Sequence, residues 1–150
     1  MRKAIRIDGD SSEVLSVGLI DILNCIDDGE STNWGLLWLE AIGELDGTES
    51  ILDLEQRVNK AEKVTIMAWK ELLDLSSQIT QAIDLLIIGD KDLLNIRERL
   101  TNGAYENCDY TIELIDSTYW IVYSKNDAFL KGVFEMLEGT KYLHRCDVNT

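Results

Sequence analysis

The sequence predicts a single α+β domain, a mixed or antiparallel sheet of about five strands with helices packed on its faces, and three observations carry that prediction. A chain of 150 residues has the length of one ordinary domain. Apolar residues alternate with period two in some segments and recur at helical spacing in others. Strand-like segments are grouped late, while helices separate the early ones. The predicted order is β-α-β-α-α-β-(α)-β-β-α over residues 1–150, with 140–150 as a flexible or edge-strand tail.

Lys3–Asp8 reads as a first strand, with Ile5 and Ile7 alternating against Arg6. Asp10-Ser11-Ser12-Glu13 has the form of a capping box, and Leu15, Leu19, Ile22, Leu23 and Ile26 then predict a helix over 12–27. That helix would end at Asp27-Asp28-Gly29, where two carboxylates oppose the helix dipole. Trp34–Ile42 is apolar enough for a central strand, and Glu44–Gly47 marks a turn. Ser50 with Asp53 repeats the capping spacing before a helix over 51–62, and Trp69, Leu72, Leu73, Ser76 and Ile79 predict another over 67–78. Ala82–Ile88 is a buried strand stopped by Gly89-Asp90, and Leu93–Leu100 a short helix. Tyr110–Tyr123 reads as a hairpin turning at Asp116-Ser117, with Leu114 facing Tyr119 and with Glu113 and Trp120 on the opposite face. Asn126 opens a last helix that Gly139 closes. Trp34, Trp38 and Trp69 fall in periodic segments and are expected in the core.

Charge is distributed unevenly. The chain has 28 Asp and Glu against 14 Lys and Arg, a net charge of −14. Between Ile7 and Gln56 there is no Lys or Arg but thirteen acids, so nearly the whole imbalance comes from one third of the sequence. If that third is contiguous in the fold, it forms an anionic pole that attracts a basic partner. Direct binding to nucleic-acid phosphates or an anionic membrane is disfavoured, since both need a cationic surface. No apolar run approaches the ~20 residues of a membrane span, and no apolar stretch follows the positively charged start, so a cytoplasmic location is expected.

Catalytic and cofactor motifs are weak. His144 is the only histidine, and its separation from Cys146 suits no nucleophile–base pair. Cys25, Cys108 and Cys146 have no metal-ligand spacing. Asp8-Gly9-Asp10 and Asp90-Lys91-Asp92 read as turns, and phosphate-binding glycine loops are absent. No catalytic residue, metal or cofactor is expected.

Val64–Leu137 resembles a known class. The helix Trp69–Leu75, the strand Gln81–Gly89, and the hairpin Ile112–Ser124 followed by the Asn126-Asp127 cap occur in the order found in small cytoplasmic proteins encoded beside bacterial polymorphic toxins. These include immunity proteins of contact-dependent growth inhibition systems. About half the chain is covered, and the motif Asp116-Ser117-Thr118-Tyr119-Trp120 is structural, so it carries no functional residue across. The resemblance implies a non-enzymatic inhibitor whose partner is a cognate toxin domain, a basic nuclease in many such systems. On that reading Asp27, Asp28, Glu30, Glu44, Asp46 and Glu49 stand in for phosphates, while Glu113 and Trp120 supply an aromatic anchor beside charge. An acidic DNA-mimicking inhibitor and a small carboxylate-dependent enzyme are the alternatives.

Overall fold

A computed structural model describes residues 3–10, 15–97 and 108–143. Its strands are β1 (Lys3–Ile7), β2 (Asn33–Gly43), β3 (Thr65–Met67), β4 (Ile79–Asp90), β5 (Tyr110–Ile115), β6 (Tyr119–Ser124) and β7 (Thr140–Leu143). The helices are α1 (Leu19–Leu23), α2 (Ile51–Lys60), α3 (Trp69–Gln78), α4 (Leu93–Arg97) and α5 (Asp127–Met136). All described strands join one antiparallel sheet in the order β3-β2-β4-β5-β6-β1-β7. The sheet thus has seven strands where about five were expected. The extra members are short edge pieces, β3 of three residues and β7 of four. Segments that short show no periodicity to read.

One face of the sheet is covered. Side chains of α1, α2, α3 and α5 (Leu19, Ile22, Leu23, Leu54, Val58, Leu72, Leu75, Phe129, Leu130, Val133) pack on Ile5, Ile7, Leu36, Leu39, Leu85, Ile87, Ile112, Leu114, Trp120 and Val122. A second cluster lies on the opposite face near one end: Leu37 and Ile88 pack with Val64, Ile96 of α4 and Cys108. The rest of that outer face has no helix on it among the described residues.

Three sequence expectations are corrected. The helix expected over 12–27 is the single turn Leu19–Leu23, and residues 11–14 with their capping box lie outside the described residues. Asp27 and Asp28 therefore do not oppose its dipole; Asp28 instead precedes a 3-10 turn over Gly29–Ser31. The β5–β6 hairpin pairs Ile115 with Tyr119 and Leu114 with Trp120, one residue out of the expected register. Thr118 joins the loop because its N–H closes onto the Ile115 carbonyl, with both Asp116 and Ser117 at positive φ. A slip of one residue moves every side chain of β6 to the other face. Trp120 therefore enters the core, 1% exposed, with Nε1 donating to the Val17 carbonyl, while Glu113 lies on the outer face. Trp38, expected inside, is 44% exposed. A bulge at Leu37 turns both Leu37 and Trp38 outward.

The helical signals at Ser50 and Asn126 match the observed caps. Ser50 Oγ accepts from the Asp53 N–H at 3.1 Å, and the Asn126 side chain accepts from Ala128 and Phe129. At the expected stop, Gly139 has φ +68, and a Cβ there would fall 2.1 Å from the Gly9 carbonyl oxygen. The short helix expected over Leu93–Leu100 is described as Leu93–Arg97, and residues beyond it lie outside the described set.

β2 and β4 are 11 and 12 residues long, about twice the length of β5 and β6. Because β3 pairs only with Trp34–Leu36, the rest of β2 would be an open edge. α2 closes it. The Asn59 side chain accepts from the Leu39 N–H at 2.9 Å and donates to the Leu39 carbonyl at 2.8 Å, reproducing one rung of a ladder, and Glu55 accepts from the Ala41 N–H. Asn59→Ala leaves two strand groups without their partner and is expected to cost ~1–3 kcal/mol in urea unfolding. An unchanged midpoint would mean that water completes the rung as well as the amide does.

Candidate functional site

The basic-free third of the sequence does not form one pole. Asp27, Asp28 and Glu30 lie just before the start of β2, and Glu44, Asp46 and Glu49 just after its end. The ten residue steps between these ends span roughly 33 Å. At the first end Asp28 is already satisfied: its carboxylate accepts from the Tyr110 hydroxyl at 2.6 Å and from Lys91 Nζ at 3.0 Å. Partial burial opposes ionisation of Asp28, but the Tyr110 hydrogen bond and the Lys91 charge outweigh it and hold its carboxyl below the usual range. Burial and Asp28 together push the Tyr110 phenol well above its ordinary value. Beside them Asp90, 4% exposed, accepts from the Asp92 and Asp109 N–H groups and from Asn95. These acids build the fold; Asp27 and Glu30 remain exposed next to them.

At the other end the 44–49 loop faces α2 and α3. Leu45, Leu54, Met67 and Leu75 floor an open groove of about 450 Å³, with Asp46, Glu49, Glu71 and Asp74 on its walls. Arg57 is the cation lining it and is engaged with Glu49 at 2.9 Å. Hydrogen bonding to Arg57 holds the Glu49 carboxyl below its ordinary value. Asp46 exchanges two hydrogen bonds with Gln78, one through its N–H and one through its carboxylate. Glu44 is exposed, its N–H bonded to the Gln78 carbonyl.

A further group of carboxylates lies on the outer sheet face. Glu40 of β2 is directly opposed to Asp84 of β4, and Glu113 of β5 lies one row away, opposite Leu86. Asp116 in the hairpin turn donates its N–H to Asp84 at 2.9 Å, and Glu55 approaches Glu40 from α2. Desolvation on the sheet face, then Asp84, Glu55 and Asp116, push the Glu40 carboxyl up. Burial and the Asp84 charge do the same to Glu113. Among the described residues none of these five is in an ion pair. Around them the face is apolar: Trp38 and Ile42 are exposed, and Leu86, Ile115, Tyr119 and Ile121 half-buried. Of the expected partner-binding residues, Glu113 belongs to this group and Trp120 does not, its indole being spent in the core. Glu40, Asp84 and Trp38 were missed. Their signal was a carboxylate interrupting an otherwise apolar strand, Glu40 within Trp34–Ile42 and Asp84 within Ala82–Ile88.

No three His, Cys, Asp or Glu side chains among the described residues are placed to hold a metal ion. Cys108 is buried, and burial with the Asp21 charge pushes the Cys25 thiol up, away from the reactive thiolate. Cys146 and His144 lie outside the described residues. A second cavity, about 150 Å³ under α1 against Trp120, is lined by no titratable side chain, and neither cavity includes Glu40, Asp84 or Glu113. Among the described residues no helix is long and apolar enough to cross a membrane. Comparison with family models, curated proteins and solved structures finds no match to this chain.

The cluster has a testable sign. A carboxyl raised in the folded state favours the protonated form, so ionising Glu40 and Glu113 costs stability, and that cost disappears as pH falls. Asp84→Asn keeps the acceptor for Asp116 and removes the central charge. Its expected effect at pH 7 is a higher unfolding temperature, since like charges directly opposed across strands are destabilising. In thermal unfolding the gain should fade as pH falls through the raised range of these glutamates and be gone by their ordinary value of 4.5. Asp28 and Glu49, both lowered, act oppositely: their contribution is present at neutral pH and lost on acidification.

Proposed function

We propose that this chain is a non-enzymatic immunity protein that binds and neutralises a basic toxin domain in the cytoplasm by electrostatic capture followed by occlusion. The observation that supports the reading is the carboxylate group Glu40, Glu55, Asp84, Glu113 and Asp116, which has no ion pair among the described residues and is set among exposed and half-buried apolar side chains. Repulsion within the group is a standing cost to the free protein, and a cationic partner relieves it on binding. Exposed aromatic and aliphatic side chains beside it supply desolvated contact area, which charges alone do not. The groove walled by Asp46, Glu49, Glu71 and Asp74 extends the negative field around α2. Such fields accelerate encounter and select against acidic competitors. A compact group of this kind suits capture of a protein better than imitation of a regularly spaced phosphate backbone. A nuclease cleft, basic because it holds phosphates, is a fitting target.

Growth protection is the test. Co-expressed with the toxin domain encoded beside it, the chain should restore growth, and the two proteins should co-purify. Charge reversal by Glu40→Lys with Asp84→Lys should slow association by about tenfold or more at low salt. Asp27→Lys with Glu30→Lys, at the far end of β2, should slow it much less. Absence of protection, or equal effects of the two pairs, would overturn the reading.

A further inference from the structure

The outer face already holds one arginine, and the way it does so is informative. Arg6 of β1 lies with its guanidinium carbon 3.8 Å from the centre of the Tyr119 ring. Its Nε and Nη2 donate to the Asp8 carboxylate at 3.0–3.2 Å. The motif is an aromatic ring for the flat face of the guanidinium and a carboxylate for its edge. On β2 the same ingredients recur, with no cation paired to them among the described residues. Trp38 presents an exposed indole, Glu40 stands two residues along on the same face, and Asp84 adds a second carboxylate directly across from Glu40. Residues two apart on a strand are ~6.6 Å apart, within the span of one arginine side chain. Arg6 itself sits four strands away, roughly 19 Å across the sheet, and is already bound.

We propose that the outer face over β2, β4 and β5 is a docking surface for an arginine-bearing segment of a basic protein, whose guanidinium stacks on Trp38 and bonds to Glu40 and Asp84. The proposal rests on the reading of a basic protein partner and names how that partner is gripped. Charge selects the occupant. A second copy would bring its own carboxylates against these, and an anionic lipid or nucleic acid would be repelled. Arginine is favoured over lysine because its planar fork meets a carboxylate edge-on while its face stacks on a ring, and its weaker hydration lowers the cost of leaving water. Leu86 and Ile121, half-buried in the row that starts at Trp38, offer apolar ground for the stem of the side chain and its neighbours.

Two probes of equal charge decide the matter, nona-arginine and nona-lysine, titrated into the full chain at low salt by calorimetry and tryptophan fluorescence. Trp34 and Trp120 are fully buried and Trp69 is half-buried, stacked on Trp34 on the opposite side of the sheet, so the part of the fluorescence response that Trp38→Ala removes is the one that reports this surface. Nona-arginine is expected to bind about fivefold more tightly than nona-lysine, a cation–π preference in a partly exposed site. Trp38→Ala should abolish the preference, and Glu40→Gln with Asp84→Asn should weaken both peptides. Asp27→Asn with Glu30→Gln should leave the preference intact. Because Trp38 is 44% exposed and lies outside the main core, the alanine variant should still fold, with an unfolding temperature lowered by only a few degrees. Equal affinity for the two peptides, or a preference that survives Trp38→Ala or the loss of both carboxylates, would overturn the docking surface. The outcome separates from that of growth protection. Protection that Trp38→Ala leaves whole, with no arginine preference, refutes this surface and spares the immunity reading; a preference without protection does the reverse.

Discussion

Everything in this molecule depends on the column of rings that ties the sheet to the segment before β2. Trp69 stacks on Trp34 at 5.4 Å, Trp34 lies 5.4 Å from Tyr110, and Tyr110 meets Phe129 edge-on at 5.1 Å. The column joins α3, β2, β5 and α5 through one continuous aromatic contact. Space for it is made by missing side chains: a Cβ on Gly29 would fall 2.3 Å from Trp69, and one on Gly89 2.4 Å from Trp34. Its polar tips are spent on the same segment, Trp34 Nε1 on the Gly29 carbonyl and the Tyr110 hydroxyl on Asp28. Large rings, close glycines and two directional hydrogen bonds leave a single register for the long strands.

That register decides which acids build and which are left over. At the aromatic end, carboxylates are consumed: Asp28 by Tyr110 and Lys91, Asp90 by backbone N–H groups. Toward the other end the same strands place Glu40 against Asp84, where ionisation is disfavoured. Natural sheets avoid like charges in directly opposed positions because the pair destabilises the strands that carry it. A local conflict of this kind, in a protein whose caps, core and turns otherwise agree, is where function is best sought.

Much of the architecture was legible in the sequence. Ser50 and Asn126 marked helix starts correctly because a side-chain cap is a local interaction that needs no tertiary knowledge. The long strands showed as apolar runs. What could not be read was set by distant parts of the chain. The hairpin loop takes three residues because Asp116 and Ser117 are held by β4, through Asp84 and the Ile83 carbonyl, and that step turns Trp120 inward, while a separate bulge in β2 turns Trp38 outward. The acidic run was visible, but a strand of eleven residues through its middle separated its two halves. Sequence proximity of charges is preserved in a helix or a loop and lost along an extended strand.

The amide of Asn59 has a consequence for the company this protein keeps. An extended backbone with idle donors and acceptors invites a neighbouring chain to add itself, and repetition of that event is the route to fibres. By occupying both groups of Leu39 with one side chain, the helix finishes the border of the sheet without adding a strand. The long strand that carries Trp38 and Glu40 can then display its outward face to a partner while its flank stays closed to copies of itself. On the proposed reading, selectivity for a foreign surface and resistance to self-assembly would be served by two different sides of one strand.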